Sequence, residues 1–261
     1  NKFSDPYSQS LKNLVDIYKI LKKAKKNRGA LELDIPFYVP QFNGNKINKF
    51  INTSRNEAHL LIEECMLLAN ICAAKILMKA KIPSIYRIHP KPDPLKIKNL
   101  EGFARSRKIN INLGNDGKVK ELSNLVDMTK DRKDKETIHM QILQSLSLAI
   151  YETEVSEHFA LGYPAYTHFT SPIRRYPDLM VHRALKSLIK TAQDGVISLS
   201  TIRPLTVNKD LYPYNSDSVE EIASGSSTKE RLAEKAEREA INYLKCEFAK
   251  DNIGNEFKGV I

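Results

Sequence analysis

The sequence predicts a mixed α/β fold that is rich in helix. Long segments repeat apolar residues at helical spacing, while a few short runs alternate apolar and polar residues as half-buried strands do. No apolar run reaches the roughly 18–20 residues of a membrane span. With 41% hydrophobic and 28% charged residues, the 261-residue chain has ample material for a packed core. The polar opening NKFSDPYSQS has no signal-peptide pattern. The three cysteines, Cys65, Cys72 and Cys246, suggest neither a disulfide framework nor a zinc site. A reducing cytoplasm is therefore expected, and a monomer is the separate expectation for the assembly.

The elements follow in order. Leu11, Leu14, Val15, Tyr18 and Leu21 predict a helix over 9–27, ended by Arg28-Gly29. ALELDIP alternates as a strand would, and NKINKFINT is expected to pair with it after an Asn43-Gly44-Asn45 turn. A highly apolar helix spans about Asn56 to Lys81. On it Asn56, Glu63 and Asn70 recur every seven residues, drifting only ~20° per step, and so form one polar line. Glu64 stands beside that line. A buried carboxylate needs a partner, and two readings stay open here: an arginine of the same domain, or a polar ligand.

SIYRIHP predicts another strand, with two or three weaker helices following to about Tyr151. The aspartates of DMTKDRKDK alternate with bases and suggest a solvated face rather than a metal site. Residues 194–225 look loop-rich. Ser227-x-x-Glu230 is a capping-box pattern that predicts the start of a last helix running to about Lys250. Leu232, Ala236, Ala240, Tyr243 and Leu244 are expected to face a core.

The formal charge of +10, from 41 Lys and Arg against 31 Asp and Glu, favours an anionic partner, although lysine-rich surface composition alone gives the same count. The stretch HFTSPIRRYPDLMVHRAL (168–185) narrows this. Thr170 or Ser171 can cap a turn whose first position suits Pro172, and Pro177 forces the chain to restart as a second helix. Two helical starts beside Arg174 and Arg175 suit phosphate through amides, dipole and guanidinium together. Asp178 and His182, four apart, can support each other or orient an arginine. Of the nearby aromatics Phe159, Tyr163, Tyr166 and Phe169, two are expected in the core and the others are available for base stacking. A serine hydrolase is set aside because no G-x-S-x-G surrounds Ser171, and both a P-loop and a dinucleotide fingerprint are missing.

At these residues the sequence resembles the ribonuclease II/RNB exoribonuclease family. The carriers are HFTSPIRRYPDLMVHR, LIEECMLLANICAAK, IYRIHPKP, RGALELDIP and LKCEF…GNEFKGVI, of which LIEECMLLANICAAK and IYRIHPKP look like blocks of the bacterial ribonuclease R branch in particular. The resemblance implies the central and C-terminal portion of an RNB catalytic domain over 1–252. The first strand of a C-terminal RNA-binding OB-type β-barrel would occupy 253–261. It further implies processive 3′→5′ hydrolysis of single-stranded RNA to nucleoside monophosphates, dependent on magnesium.

By that resemblance Arg174 clamps the scissile phosphate as a catalytic residue, and Glu237 is a catalytic supporting carboxylate. Glu63, Glu64, Asn70, Tyr166, His168, Arg175 and His182 form the RNA-binding set. Two departures stand out. The family's D-x-D-D-type aspartate cluster, which precedes RGALELDIP, has no counterpart here. The magnesium ligands are thus expected outside this chain, and the isolated chain is expected to be inactive. Where the family often carries a base-stacking aromatic after RG-A/G, this sequence has Leu33. A rival expectation is a non-catalytic RNA-binding module of the same fold.

Overall fold

The computed structural model describes residues 7–256 except 34, 45, 54, 115–116, 193–201, 203, 205–208 and 251. In chain order its elements are α1 (Tyr7–Arg28), β1 (Tyr38–Asn43), β2 (Lys46–Asn52), α2 (Glu57–Ala80), β3 (Tyr86–Ile88) and α3 (Pro94–Ser106). They continue as α4 (Val119–Thr129), α5 (Lys135–Ser145), β4 (Ile150–Glu152), a 3₁₀ turn (Phe159–Leu161), α6 (Tyr176–Thr191) and α7 (Ser216–Lys250). This helix-rich mixed composition is the one the sequence predicts. The chain forms two compact units, Asn1–Ile35 with Asn56–Ser226, and Pro36–Arg55 with Ser227–Ile261.

In the first unit, α1 lays the half-buried stripe Leu14, Tyr18, Leu21, Lys25 and Arg28 toward α2. The helix α2 starts where Asn56 accepts a bond from the His59 amide at 3.0 Å and donates its own amide to His59 Nδ1 at 3.3 Å. It ends at Lys81, held in the left-handed region at φ 51°. Its small residues Ala73, Ala74 and Ala80 allow close packing around Leu77. Together with Tyr86, Tyr151, Met180, Val181, Ala184, Leu188, Val219 and Ala223 they form one core cluster. A second cluster joins α3, α4 and α5 through Ile97, Leu100, Leu113, Leu122, Leu125, Ile138 and Ile142, with Phe159 inserted. β3 pairs antiparallel with β4, matching Arg87 to Tyr151.

In the second unit β1 and β2 form an antiparallel hairpin across the Asn43–Lys46 turn, with a bulge at Gln41/Phe42. Phe50 meets Phe248 edge-on at 5.5 Å between ring centres.

Five expectations are corrected. ALELDIP forms no strand among its described residues. Leu31 donates to the Ala160 carbonyl at 2.9 Å, and Leu33 packs against the second core cluster, but no ladder develops. The hairpin exists, yet its first arm is Tyr38–Asn43, beyond ALELDIP. Ser227 starts no helix, because α7 runs unbroken through SGSS from Ser216. Its real start is at Asn215, whose Oδ1 accepts from the Ser218 amide at 2.9 Å while buried Val219 and Ala223 anchor the first turns. The Leu232–Leu244 stripe is not core: Leu232 and Tyr243 are exposed. The loop expected over 194–225 is helix from Ser216 onward, and most of its remainder lies outside the described residues, as does most of EFKGVI.

Candidate functional site

One cavity of about 500 Å³ lies in the first unit, between the first half of α2 and the 166–175 segment. Each wall has a local origin. The α2 wall presents the predicted polar line, since Asn56, Glu63 and Asn70 all face the cavity, with His59, Ile62 and Met66 between them.

Asn70, only 3% exposed, fixes the opposite wall. Its Nδ2 donates to the Tyr166 hydroxyl at 2.8 Å, and its Oδ1 accepts from the Phe169 amide at 2.9 Å. The same segment is tied to β3, because the Arg87 amide donates to the Tyr166 carbonyl and Thr167 Oγ1 donates to the Ile85 carbonyl. Side chains alternate along it. Tyr166 and His168 line the cavity, whereas Thr167 is buried and Phe169 packs against the core.

His168 bonds through Nδ1 to the Tyr151 hydroxyl at 2.9 Å. Burial pushes its pKa down to about 2, and the Arg175, Arg87, His158 and Arg174 charges push the same way. It is therefore a neutral hydrogen-bonding group at physiological pH rather than a titrating acid or base. Burial likewise raises the Tyr166 hydroxyl, so it too stays uncharged.

The SPIRRYPD turn closes the site. The Ser171 carbonyl accepts from the Arg174 and Arg175 amides at 3.3 and 3.0 Å, and α6 restarts at Tyr176 with Pro177 in its first turn. The two arginines then divide. Arg175 Nη2 is held 2.8 Å from Oδ1 of Asp178, which is fully buried. Arg174 is exposed, lines the cavity, and its guanidinium has no hydrogen-bond or ion-pair partner among the described residues.

The remaining predicted residues are placed as follows. Glu64, 4% exposed, faces away from the cavity and pairs with Lys25 of α1 at 3.0 Å, so its partner is a lysine rather than the arginine or ligand considered above. His182 lies behind the wall, where Nε2 is 2.8 Å from the Phe169 carbonyl and the ring stacks on Phe169 at 4.2 Å. Glu237 is exposed on α7 in the other unit, and the cavity is built without it. Sequence reasoning missed His59, Ile62 and Met66, although all three follow from the α2 phase that already placed Glu63 and Asn70.

Among the described residues no group of three His, Cys, Asp or Glu side chains could hold a metal ion. The described residues thus do not form a site for the magnesium that the resemblance implies. No helix of the structure is long and apolar enough to cross a membrane.

On this helix-rich α/β scaffold the cavity brings together a guanidinium, a carboxylate and a neutral imidazole, with the guanidinium suited to an anionic group. Residues 1–191 match the RNB domain model, and the chain belongs to that family. It is 37% identical to ribonuclease R of Escherichia coli (strain K12) over 257 residues, covering 98% of this chain and 31% of the relative. Ribonuclease R of Vibrio parahaemolyticus is 36% identical over 263 residues, covering 98% and 30%. The chain thus spans about a third of the length of these relatives. The apo form of Mycoplasma genitalium RNase R superposes with a TM-score of 0.83 at 26% identity, over 95% of this chain and 37% of that one. The same enzyme in complex with ribose-methylated single-stranded RNA gives 0.82 over the same shares.

Proposed function

We propose that the protein carrying this chain is a 3′→5′ exoribonuclease that hydrolyses single-stranded RNA processively to nucleoside monophosphates. The observation that carries the reading is the Arg174 guanidinium, without a hydrogen-bond or ion-pair partner among the described residues, lining one cavity with Glu63, Asn70 and His168. Membership of the RNB domain family and the likeness to proteins named ribonuclease R support it. The RNA complex of the Mycoplasma genitalium enzyme supports RNA as the ligand class.

In this reading Arg174 grips the scissile phosphate and stabilises the charge that builds on its oxygens during attack. Glu63 and neutral His168 offer hydrogen-bond partners to the terminal ribose, and Asn70 with Tyr166 keeps that wall in place. Arg175 lines the cavity while held by Asp178, His182 supports the wall through the Phe169 carbonyl, Glu64 acts through its pair with Lys25, and Glu237 is the supporting carboxylate that the resemblance implies. Magnesium would supply Lewis-acid chemistry in the complete protein, held by ligands that the described residues do not include. The catalytic domain extends over 1–252 in a monomeric cytoplasmic protein, and the barrel strand that the resemblance implies at 253–261 lies mostly outside the described residues.

The test uses the complete gene product with 5′-labelled single-stranded RNA, with and without EDTA. Stepwise shortening from the 3′ end with release of nucleoside monophosphates, stopped by EDTA, is expected. Tight RNA binding with no product would replace this reading by the non-catalytic RNA-binding module.

A further inference from the structure

The geometry assigns Asp178 as a positioning residue that aims Arg174 into the cavity. Asp178 is 0% exposed and belongs to the first turn of α6, flanked by buried Pro177, Met180 and Val181. One oxygen, Oδ1, accepts both from the Ser171 amide at 2.7 Å and from Arg175 Nη2 at 2.8 Å. The Ser171 carbonyl then holds the amides of Arg174 and Arg175. Pro172 stiffens the step between them by fixing its own φ. The backbone of Arg174 is thus referenced to the helix core through Asp178 and Ser171. No hydrogen bond of its guanidinium performs that task.

Both braces depend on a single atom. Asp178 Oδ2 and Arg175 Nε have no hydrogen-bond partner among the described residues, so neither atom duplicates the Oδ1 contacts. Neutralising Asp178 would free the Arg175 charge beside Arg174 while loosening the turn. Attraction for a polyanion would then persist as the aim is lost. General damage to the fold lowers both together.

The effect on turnover rests on the exoribonuclease reading, whereas the effect on binding geometry does not. The experiment is a double-mutant cycle in the complete gene product, with Asp178→Asn, Arg174→Ala and their combination. Turnover of single-stranded RNA and the Kd of a metal-free oligoribonucleotide are measured in parallel. Asp178→Asn should lower kcat about 10²-fold, as small misplacements of a reacting group do, with Kd changed less than about threefold. The double variant should be no slower than Arg174→Ala alone, the signature of one residue acting through another. Near-wild-type turnover in Asp178→Asn, or losses that multiply, would overturn the assignment. If Asp178→Asn does not fold, Arg175→Lys, which keeps the charge but not the fork, takes its place under the same two criteria. If the wild-type protein cleaves no RNA, the exoribonuclease reading fails by itself, and the role of Asp178 is scored on the Arg174 side-chain Nε–H resonance of the RNA-bound protein, assigned by its loss in Arg174→Ala. A shifted or broadened resonance in Asp178→Asn supports the role, and an unchanged one refutes it.

Discussion

Lys25 Nζ lies 3.0 Å from Glu64 Oε1, and the same ammonium is within 4 Å of Glu63 and Glu32. A lysine of α1 thereby sets the carboxylates of α2, one of which lines the cavity. Burial alone would pull the Lys25 pKa down, but the Glu64 bond and the Glu32, Glu64 and Glu63 charges outweigh it and leave a net rise.

Removing one partner of this pair strands the other. Glu64→Gln or Lys25→Met should each destabilise the protein by about 3 kcal/mol, and Lys25→Met with Glu64→Leu should recover most of that loss. Thermal unfolding of the four proteins checks it. Because the folded pKa is raised, the contribution is fully present below the unfolded value of about 10.4 and disappears as pH rises through the folded value.

Arg174→Ala should reduce turnover by about 10²–10³-fold while RNA affinity falls little, because the group acts mainly on developing charge. Arg174→Lys should rescue only part, since a point charge cannot reproduce the guanidinium fork. Single-turnover kinetics with a separate binding titration distinguish the two effects.

Asn70→Ala leaves a buried hydroxyl and a backbone amide without their partner, at a cost of about 1–3 kcal/mol. Tyr166→Phe removes only one of the two bonds and should cost about 1 kcal/mol. Chemical denaturation, read for both variants and for their combination, should show strong non-additivity.

Acid should unfold the protein through its histidines. Burial holds His158 down at about 3 and His168 at about 2, so the folded state takes up their protons far later than the unfolded one. Stability is therefore intact above about pH 6.5 and falls below it, by about 1.4 kcal/mol per pH unit for each histidine. His168→Gln should flatten this slope, which denaturant midpoints between pH 4 and 7 will show.

How much of this was legible in the sequence varied with the range of the interaction. Helical phase alone placed Asn56, Glu63 and Asn70 on one wall, and the two prolines around Arg174-Arg175 announced a turn followed by a restarted helix. Lys25 was invisible, since within KKAKKNRG nothing local separates a buried counterion from a solvated lysine. ALELDIP alternates correctly, but a strand also needs a ladder partner, and Leu31 finds only the Ala160 carbonyl. Ser227-x-x-Glu230 satisfies a cap pattern, yet a cap acts only where a helix begins, and Asn215 had already started this one.

The first turn of α2 serves two ends at once. Asn56 and His59 tie off the helix by exchanging bonds, and the same two side chains line the cavity. Fraying of that turn would erase part of the wall, so an occupied cavity must oppose fraying by mass action. Occupancy should accordingly be visible far from any cleaved bond, as slowed amide exchange at His59 and Leu60, whose N–H groups are held by Asn56.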